Sequence, residues 1–195
     1  MFFPSYDYEK QVYTAWIKNG FIKKFESLGK KVFSEPKKAS QVTKVLIDYS
    51  KAIDLYRDKT GSKAGAILLS VVGGKMSEGI NFSDDLGRCV IMVGLPYANL
   101  NSPELKEKMA YLNKLRQGMD EEYYENLCLK AVNQSIGRVI RHKNDFATII
   151  LLDQRYCNKM SIQNNLPNWV RKCLRVHQEY YAACSQIEQF FEKKR

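Results

Sequence analysis

The chain has 195 residues, of which 45% are hydrophobic, enough for one domain with a sizeable core and a tight fit for two independent domains. Its formal net charge of +10 favours an anionic partner, and polyphosphate, nucleic acid and acidic membrane surfaces all stay open on charge alone. We expect no membrane span, because no apolar segment approaches the ~20 residues that a span requires. We also expect no secretory signal, because no positively charged region followed by an apolar segment stands at the start.

The five cysteines give no sign of a disulfide framework or a metal centre. They are odd in number, widely spaced and without a C-x-x-C pair, and only two histidines could assist them as ligands. We therefore expect reduced, structural thiols, an intracellular protein and no metal-binding residues.

The hydrophobic pattern predicts alternating strands and helices. In chain order, strands are predicted at residues 1–4, 31–34, 66–72, 88–95 and 147–152. Helices are predicted from Tyr8 to Asn19, 21–28, Ser40 to Gly61, 99–118, 121–141, 169–176 after an Asn168 cap, and 176–190. The three longest strands are continuous apolar runs, typical of strands buried on both faces. The sequence thus predicts a single α/β domain over residues 1–195, with a mainly parallel sheet flanked by helices.

The stretch from Ala131 to His142 carries polar side chains within the predicted 121–141 helix. Gln134, Arg138 and Arg141 are spaced four and three residues apart, which would place them on one helix face. Gly137 would lie inside that helix, where glycine costs ~1 kcal/mol relative to alanine. A glycine retained at that cost indicates that another group approaches the backbone closely there. Paired arginines suit a multiply charged phosphate, although the same spacing also fits an ordinary solvated face.

Residues 73–82 form a glycine-rich loop directly after the 66–72 strand. The glycines would let a ligand approach the backbone, but a tight structural turn would look similar. This loop is not a Walker A motif, because Leu69 stands where the first glycine is required and Met76 follows the lysine. Since ligand sites in parallel sheets collect at the carboxyl ends of the strands, this loop is a candidate binding site.

Three segments resemble conserved helicase motifs. Residues 2–8, 73–82 and 134–141 are similar to motifs IV, V and VI of superfamily-2 helicases, and their details resemble the XPD-like, iron–sulfur-containing DNA helicases. Residues 87–106 most resemble the ChlR-type branch linked to sister-chromatid cohesion. The resemblance implies a RecA-like, three-layer domain that is the second of two motor domains, with the first motor domain absent from this chain.

The resemblance also implies roles at an ATP site shared with the first motor domain, which would hold Mg²⁺. Arg141 would be the arginine finger on the γ-phosphate, Arg138 would hold the same phosphates, and Gln134 would position the phosphate or attacking water. The remaining nucleotide-binding candidates are Glu78, Gly79, Asn81 and Gly137. His142, beside the finger, fits a polar helix end better than a catalytic base. The chain alone is expected to be inactive.

DNA contacts are implied at the motif IV turn and the motif V loop. The candidate DNA-binding residues are Ser5, Tyr6, Lys75, Ser77 and Arg155. Gly74 replaces an arginine of XPD, which removes one phosphate contact. Lys75 also fits a plain surface lysine, and Arg155 also fits an ion pair with Asp153. Backbone contacts of this kind would be sensitive to salt and largely independent of sequence.

For the whole protein, the resemblance implies an ATP-dependent helicase that moves 5′ to 3′ on single-stranded or forked DNA. An iron–sulfur cluster is expected in the full-length protein and not in this chain. The expected partners are the first motor domain and cohesion or replication-fork proteins, and the expected location is the nucleus. Two alternatives stay open: an RNA-dependent helicase domain, and a non-catalytic basic module that binds nucleic acid or partner proteins.

Overall fold

The computed structural model describes residues 1–57, 65–76, 80, 82–140 and 142–194. These residues form two compact units, Met1–Asp153 and Gln154–Arg195. Whether residues 1–195 fold as a single domain stays a prediction. No helix in the described part of the chain is long and apolar enough to cross a membrane. None of the five cysteines, all within the described residues, forms a disulfide.

The first unit is built on a five-stranded sheet in the order β2-β3-β1-β4-β5. The strands are β1 (Phe2–Phe3), β2 (Lys30–Ser34), β3 (Gly65–Val71), β4 (Cys89–Val93) and β5 (Thr148–Leu152). Every strand pairing among them is parallel, which confirms the α/β fold with a parallel sheet. All the carboxyl ends of the strands therefore meet at one edge of the sheet.

Helices flank this sheet. The first unit contains α1 (Tyr6–Lys18), α2 (Phe21–Ser27), α3 (Val42–Arg57), α4 (Pro103–Leu115) and α5 (Met119–Ile136). The second unit contains α6 (Gln154–Asn158), α7 (Met160–Asn164), α8 (Asn168–Cys173) and α9 (Tyr180–Glu192). α5 turns one apolar face to the core through Leu129, Val132 and Ile136, whose spacing of three and four is that of a helix face.

Several predicted helix ends are wrong. Ser40 does not cap α3, because residues 39–41 form a single 3₁₀ turn that leads into the helix. Asn168 is the first residue of α8 and Pro167 occupies the cap position. Val176 lies outside α9 and is 51% exposed, so it contributes nothing to a buried helix face. The predicted helix stop at Gly61 lies outside the described residues.

A buried ion pair holds the loop between α5 and β5. The Arg88 guanidinium contacts the Asp145 carboxylate at 2.8 Å, and the Asp145 side chain has no exposed surface. Arg88 also donates to the Phe146 carbonyl at 2.9 Å and pairs with Asp85 at 3.1 Å. In the same loop, His142 Nε2 lies 3.0 Å from Asp84 Oδ1. The loop that follows motif VI is thereby tied to the loop that follows motif V.

We predict that Arg88→Met lowers the free energy of unfolding by about 2 kcal/mol, because it leaves the buried Asp145 carboxylate without its cation. Urea denaturation of the chain measures the change. The matched control is Arg116→Met, which removes an exposed pair with Glu122 and should change the free energy by less than about 0.5 kcal/mol. Equal effects of the two substitutions would contradict this account of the loop.

Candidate functional site

A cavity of about 360 Å³ opens at the carboxyl edge of the sheet. Pro4 after β1, residues 72–73 after β3 and residues 96–99 after β4 form one side of it. The last turns of α5 form the other side, including Leu127 and Gln134. Parts of all three helicase-like segments therefore border one cavity: Pro4 of 2–8, Gly73 of 73–82 and Gln134 of 134–141. Ligand sites of parallel sheets lie at this edge.

The prediction that Gln134 and Arg138 share one helix face is wrong. α5 ends at Ile136, and Gly137 is its C-cap, with φ −69° and ψ −3° and an N–H that bonds to the Asn133 carbonyl. The chain turns there because the buried Val139 packs into the core, at 2% exposed. Gly137 thus lies at the end of the helix rather than inside it.

The turn after α5 pairs motif VI with motif V. The Phe82 N–H donates to the Arg138 carbonyl at 3.0 Å, and Phe82 itself is buried. Arg138 is half-buried while Gln134 is exposed and lines the cavity. The two segments therefore meet through backbone atoms.

Five predicted site residues lie outside the described residues. They are Ser77, Glu78, Gly79, Asn81 and Arg141. Their roles stay predictions. The neighbouring backbone at Met76, Phe82 and Ile140 is described.

The motif IV turn begins α1. Ser5 is exposed and is the N-cap of the helix, since its side chain accepts a hydrogen bond from the Tyr8 N–H at 3.2 Å. Tyr6 is half-buried, and its hydroxyl donates to Glu35 Oε1 at 2.7 Å. Burial, and to a smaller extent the hydrogen bond to Glu35, raises the pKa of Tyr6 to about 12. Tyr6 is therefore a neutral donor whose hydroxyl is already engaged within the protein.

Glu35 is the residue that sequence reasoning missed. Its side chain is buried at 6% exposed, directly after β2. Oε2 accepts from the Val71 N–H at 2.9 Å, and Oε1 accepts from the Met76 N–H at 3.3 Å as well as from Tyr6. One signal was available in the sequence: an acidic residue directly following a strand has to be paired if the strand is buried.

Gly74 has a structural reason to be glycine. A Cβ at this position would overlap Glu35 Oε1 and come within 2.8 Å of the Val71 carbonyl oxygen. The resemblance to XPD implied only that Gly74 lacks an arginine contact. In the structure, the buried Glu35 carboxylate occupies the space that the Cβ of any other residue at position 74 would need.

The other two predicted DNA-binding residues carry exposed cations. Lys75 is exposed, and its ammonium donates to the Lys37 carbonyl. Arg155 lies in α6 of the second unit and is exposed. His142 lies in a turn beyond α5 with its side chain 49% exposed and paired with Asp84. This agrees with a polar residue beyond a helix end.

Two aspartates and one histidine lie close enough together to resemble a metal site. Possible ligand atoms of Asp84, His142 and Asp145 lie within 4.8 Å of one another. The Arg88 guanidinium already neutralises Asp145, however, and His142 is paired with Asp84. The cluster fits a loop anchor.

A family model described as "Helicase C-terminal domain" matches residues 1–173 of the chain. The chain is 51% identical over 199 residues to "ATP-dependent DNA helicase DDX11" of Danio rerio and 53% identical over 199 residues to the protein of the same name from Mus musculus. It is 48% identical over 182 residues to "ATP-dependent DNA helicase CHL1" of Scheffersomyces stipitis. These alignments cover 100%, 99% and 88% of the chain. They cover 22%, 22% and 21% of the relatives, so the chain spans about a fifth of their length.

A solved structure described as "Structure of S. tokodaii Xpd4" aligns with 86% of the chain and 28% of its own, with a TM-score of 0.50 and 20% identity. At that identity the match supports the fold alone, and it agrees with the RecA-like domain that the sequence motifs implied. The resemblance to XPD-like helicases, and within them to the ChlR-type branch, is confirmed by the family match and by the relatives near 50% identity. The chain belongs to the family of helicase C-terminal domains.

Proposed function

We propose that the chain is the second motor domain of an ATP-dependent DNA helicase. The observation that carries this proposal is the cavity at the carboxyl edge of the sheet, bordered by Pro4, Gly73 and Gln134 from three different motifs. The names of the relatives, which describe ATP-dependent DNA helicases, support the same activity. In a parallel sheet, the loops that follow several strands lie at one edge. One bound nucleotide can therefore shift the conformational equilibrium of several loops at once.

ATP would lie in a cleft between this domain and the first motor domain, which would supply the Walker A loop and hold Mg²⁺. The sequence pattern around Gly74 and Lys75 fails the Walker A requirement, so this chain would complete a nucleotide site rather than form one. Arg141 would reach the γ-phosphate and stabilise the charge that develops during transfer. Arg138 and Gln134 would assist from the end of α5.

The remaining nucleotide contacts would come from the motif V loop and the end of α5. Gly79 and Asn81 would line the ribose side, where Asn81 offers a neutral hydrogen bond. Glu78 would lie beside them, and the backbone of Gly137 would approach the nucleotide. The hydrogen bond from the Phe82 N–H to the Arg138 carbonyl joins the two segments that hold these residues. This bond supports a joint movement of the two segments when nucleotide binds.

Single-stranded or forked DNA would cross the motif IV turn and the motif V loop, with translocation from 5′ to 3′. Ser5, Tyr6, Lys75 and Ser77, all in the first unit, would contact the strand. Arg155, in the second unit, is a separate candidate contact. The net charge of +10 supports a backbone-directed interaction. In the full-length protein we expect an iron–sulfur cluster outside this chain. We also expect nuclear location and partners at replication forks or in sister-chromatid cohesion.

We predict that Arg141→Ala, in a protein that joins this chain to its first motor domain, lowers the ATP turnover number by about 10³-fold or more. The KM for ATP should change little, because the finger acts mainly in the transition state. Steady-state phosphate release measures both constants. Arg116→Ala is the matched control, since this exposed arginine pairs only with Glu122 in the described part of the chain. Normal turnover in Arg141→Ala would overturn the finger assignment.

The isolated chain should show no Mg²⁺-dependent ATP hydrolysis above background, because half of the site is on another domain. Phosphate release by the purified chain, with and without single-stranded DNA, measures this. Mixing with the separately purified first motor domain is the positive arm. Robust turnover by the chain alone would show that it contains a complete site.

Lys75→Ala should weaken binding to single-stranded DNA and lower the slope of log K against log salt by about 0.7, the value of one phosphate contact. Fluorescence anisotropy at four salt concentrations, on two unrelated DNA sequences and one RNA, measures the slope. Lys18→Ala, at the exposed end of α1, is the control. An unchanged slope would remove Lys75 from the DNA interface, and preferential RNA binding would favour an RNA-dependent motor.

A further inference from the structure

A buried carboxylate joins the motif IV turn to the motif V loop. Glu35 Oε1 is shared between the Tyr6 hydroxyl, at 2.7 Å, and the Met76 N–H, at 3.3 Å. Glu35 Oε2 accepts from the Val71 N–H at 2.9 Å, which fixes the carboxylate against the end of β3. One side chain therefore holds together two segments that are about 70 residues apart in the chain.

The arrangement leaves little room for independent movement. Glu35 is 6% exposed, and a buried carboxylate is costly unless donors satisfy its oxygens, so each of its hydrogen bonds is expensive to lose. A Cβ on Gly74 would overlap Oε1. The Gly74 backbone therefore packs directly against the carboxylate, and a shift of the loop at residues 74–76 displaces the acceptor of the Tyr6 hydroxyl.

Resting on the proposed function, we propose that Glu35 is a positioning residue that couples the DNA-contacting turn to the ATP-facing loop. DNA that moves Tyr6 would change the bond to Oε1, and the carboxylate would transmit the change to Met76 and Gly74. The loop that begins there runs to Phe82, whose N–H bonds to the Arg138 carbonyl. Glu35 itself touches neither DNA nor nucleotide, because it is buried under both segments.

The coupling makes a distinctive kinetic prediction. A residue that only contacts DNA changes the DNA concentration needed for half-maximal stimulation of ATP hydrolysis. A residue that transmits the signal lowers the maximal stimulation at saturating DNA, while the ATP turnover without DNA is unchanged. A residue that only stabilises the fold lowers both turnover numbers together.

Glu35→Gln tests this in the protein that joins the chain to its first motor domain. The amide is the same shape, but its NH₂ group cannot accept a bond, so at least one of the three donors loses its acceptor. We expect the maximal DNA stimulation to fall about tenfold, which corresponds to about 1.4 kcal/mol. ATP turnover without DNA should stay within about twofold of the parent protein, since no group at the ATP cleft is removed.

Two further variants change the residues that contact Glu35 Oε1, Tyr6 in the motif IV turn and Gly74 in the motif V loop. Tyr6→Phe removes one hydroxyl and keeps the ring, so it tests the link if Glu35→Gln does not fold. Because Tyr6 is also a proposed DNA contact, only the maximal stimulation at saturating DNA is compared for this variant. Gly74→Ala should displace the carboxylate, and also crowd the Val71 carbonyl oxygen, so we expect a loss of maximal stimulation at least as large as that of Glu35→Gln. At saturating DNA, the double variant Tyr6→Phe, Glu35→Gln should keep the maximal stimulation of Glu35→Gln alone, because the bond between Tyr6 and Glu35 is shared by both substitutions.

Glu26→Gln and Tyr13→Phe are the matched controls, with the same chemical changes on α2 and α1. Full DNA stimulation in both Glu35→Gln and Tyr6→Phe would overturn the coupling. An equal fall in the turnover numbers with and without DNA, accompanied by a lower Tm, would also overturn it, since that is a structural role. If the parent protein showed no stimulation by DNA, the proposed function would fail, and the coupling with it.

Discussion

The parallel packing of β1 between β3 and β4 is the constraint on which the candidate site depends. β1 has only two residues, and Phe3 is fully buried at the centre of the sheet. Phe3 lies in register with Val71, and Phe2 with Ser70 and Met92. Because the three strands run in the same direction, the segments that follow them emerge at one edge. The motif IV turn, the motif V loop and the loop before α4 are neighbours for that reason.

Much of the sheet could be predicted from the sequence, because the strands at 65–71, 89–93 and 148–152 are apolar runs, and glycines flank the first two. The end of α5 could not. The spacing of Gln134, Arg138 and Arg141 continues a helical period, whereas the chain leaves the helix at Gly137. What decides the turn is the burial of Val139 and the long-range bond between Phe82 and Arg138, neither of which is visible in local periodicity.

The candidate site, like the fold, could be predicted from the sequence only in part. The motif resemblance identified residues at the carboxyl edge, and Gln134 does line the cavity there. The hydrogen bonds of Glu35 could not be predicted, because its partners Tyr6, Val71 and Met76 are distant from it in sequence. Gly74 could be interpreted only once that carboxylate was placed next to it. Side-chain networks that span several strands are set by tertiary packing, so local pattern does not reveal them.

We propose that this domain completes an ATP site whose other half lies on the first motor domain. A crystal structure of the two joined domains with Mg²⁺ and a non-hydrolysable ATP analogue tests it most directly. We expect the triphosphate to lie between the domains, with Arg138 and Arg141 within hydrogen-bonding distance of its phosphate oxygens. An analogue held wholly by the first motor domain, with both arginines facing solvent, would contradict the claim.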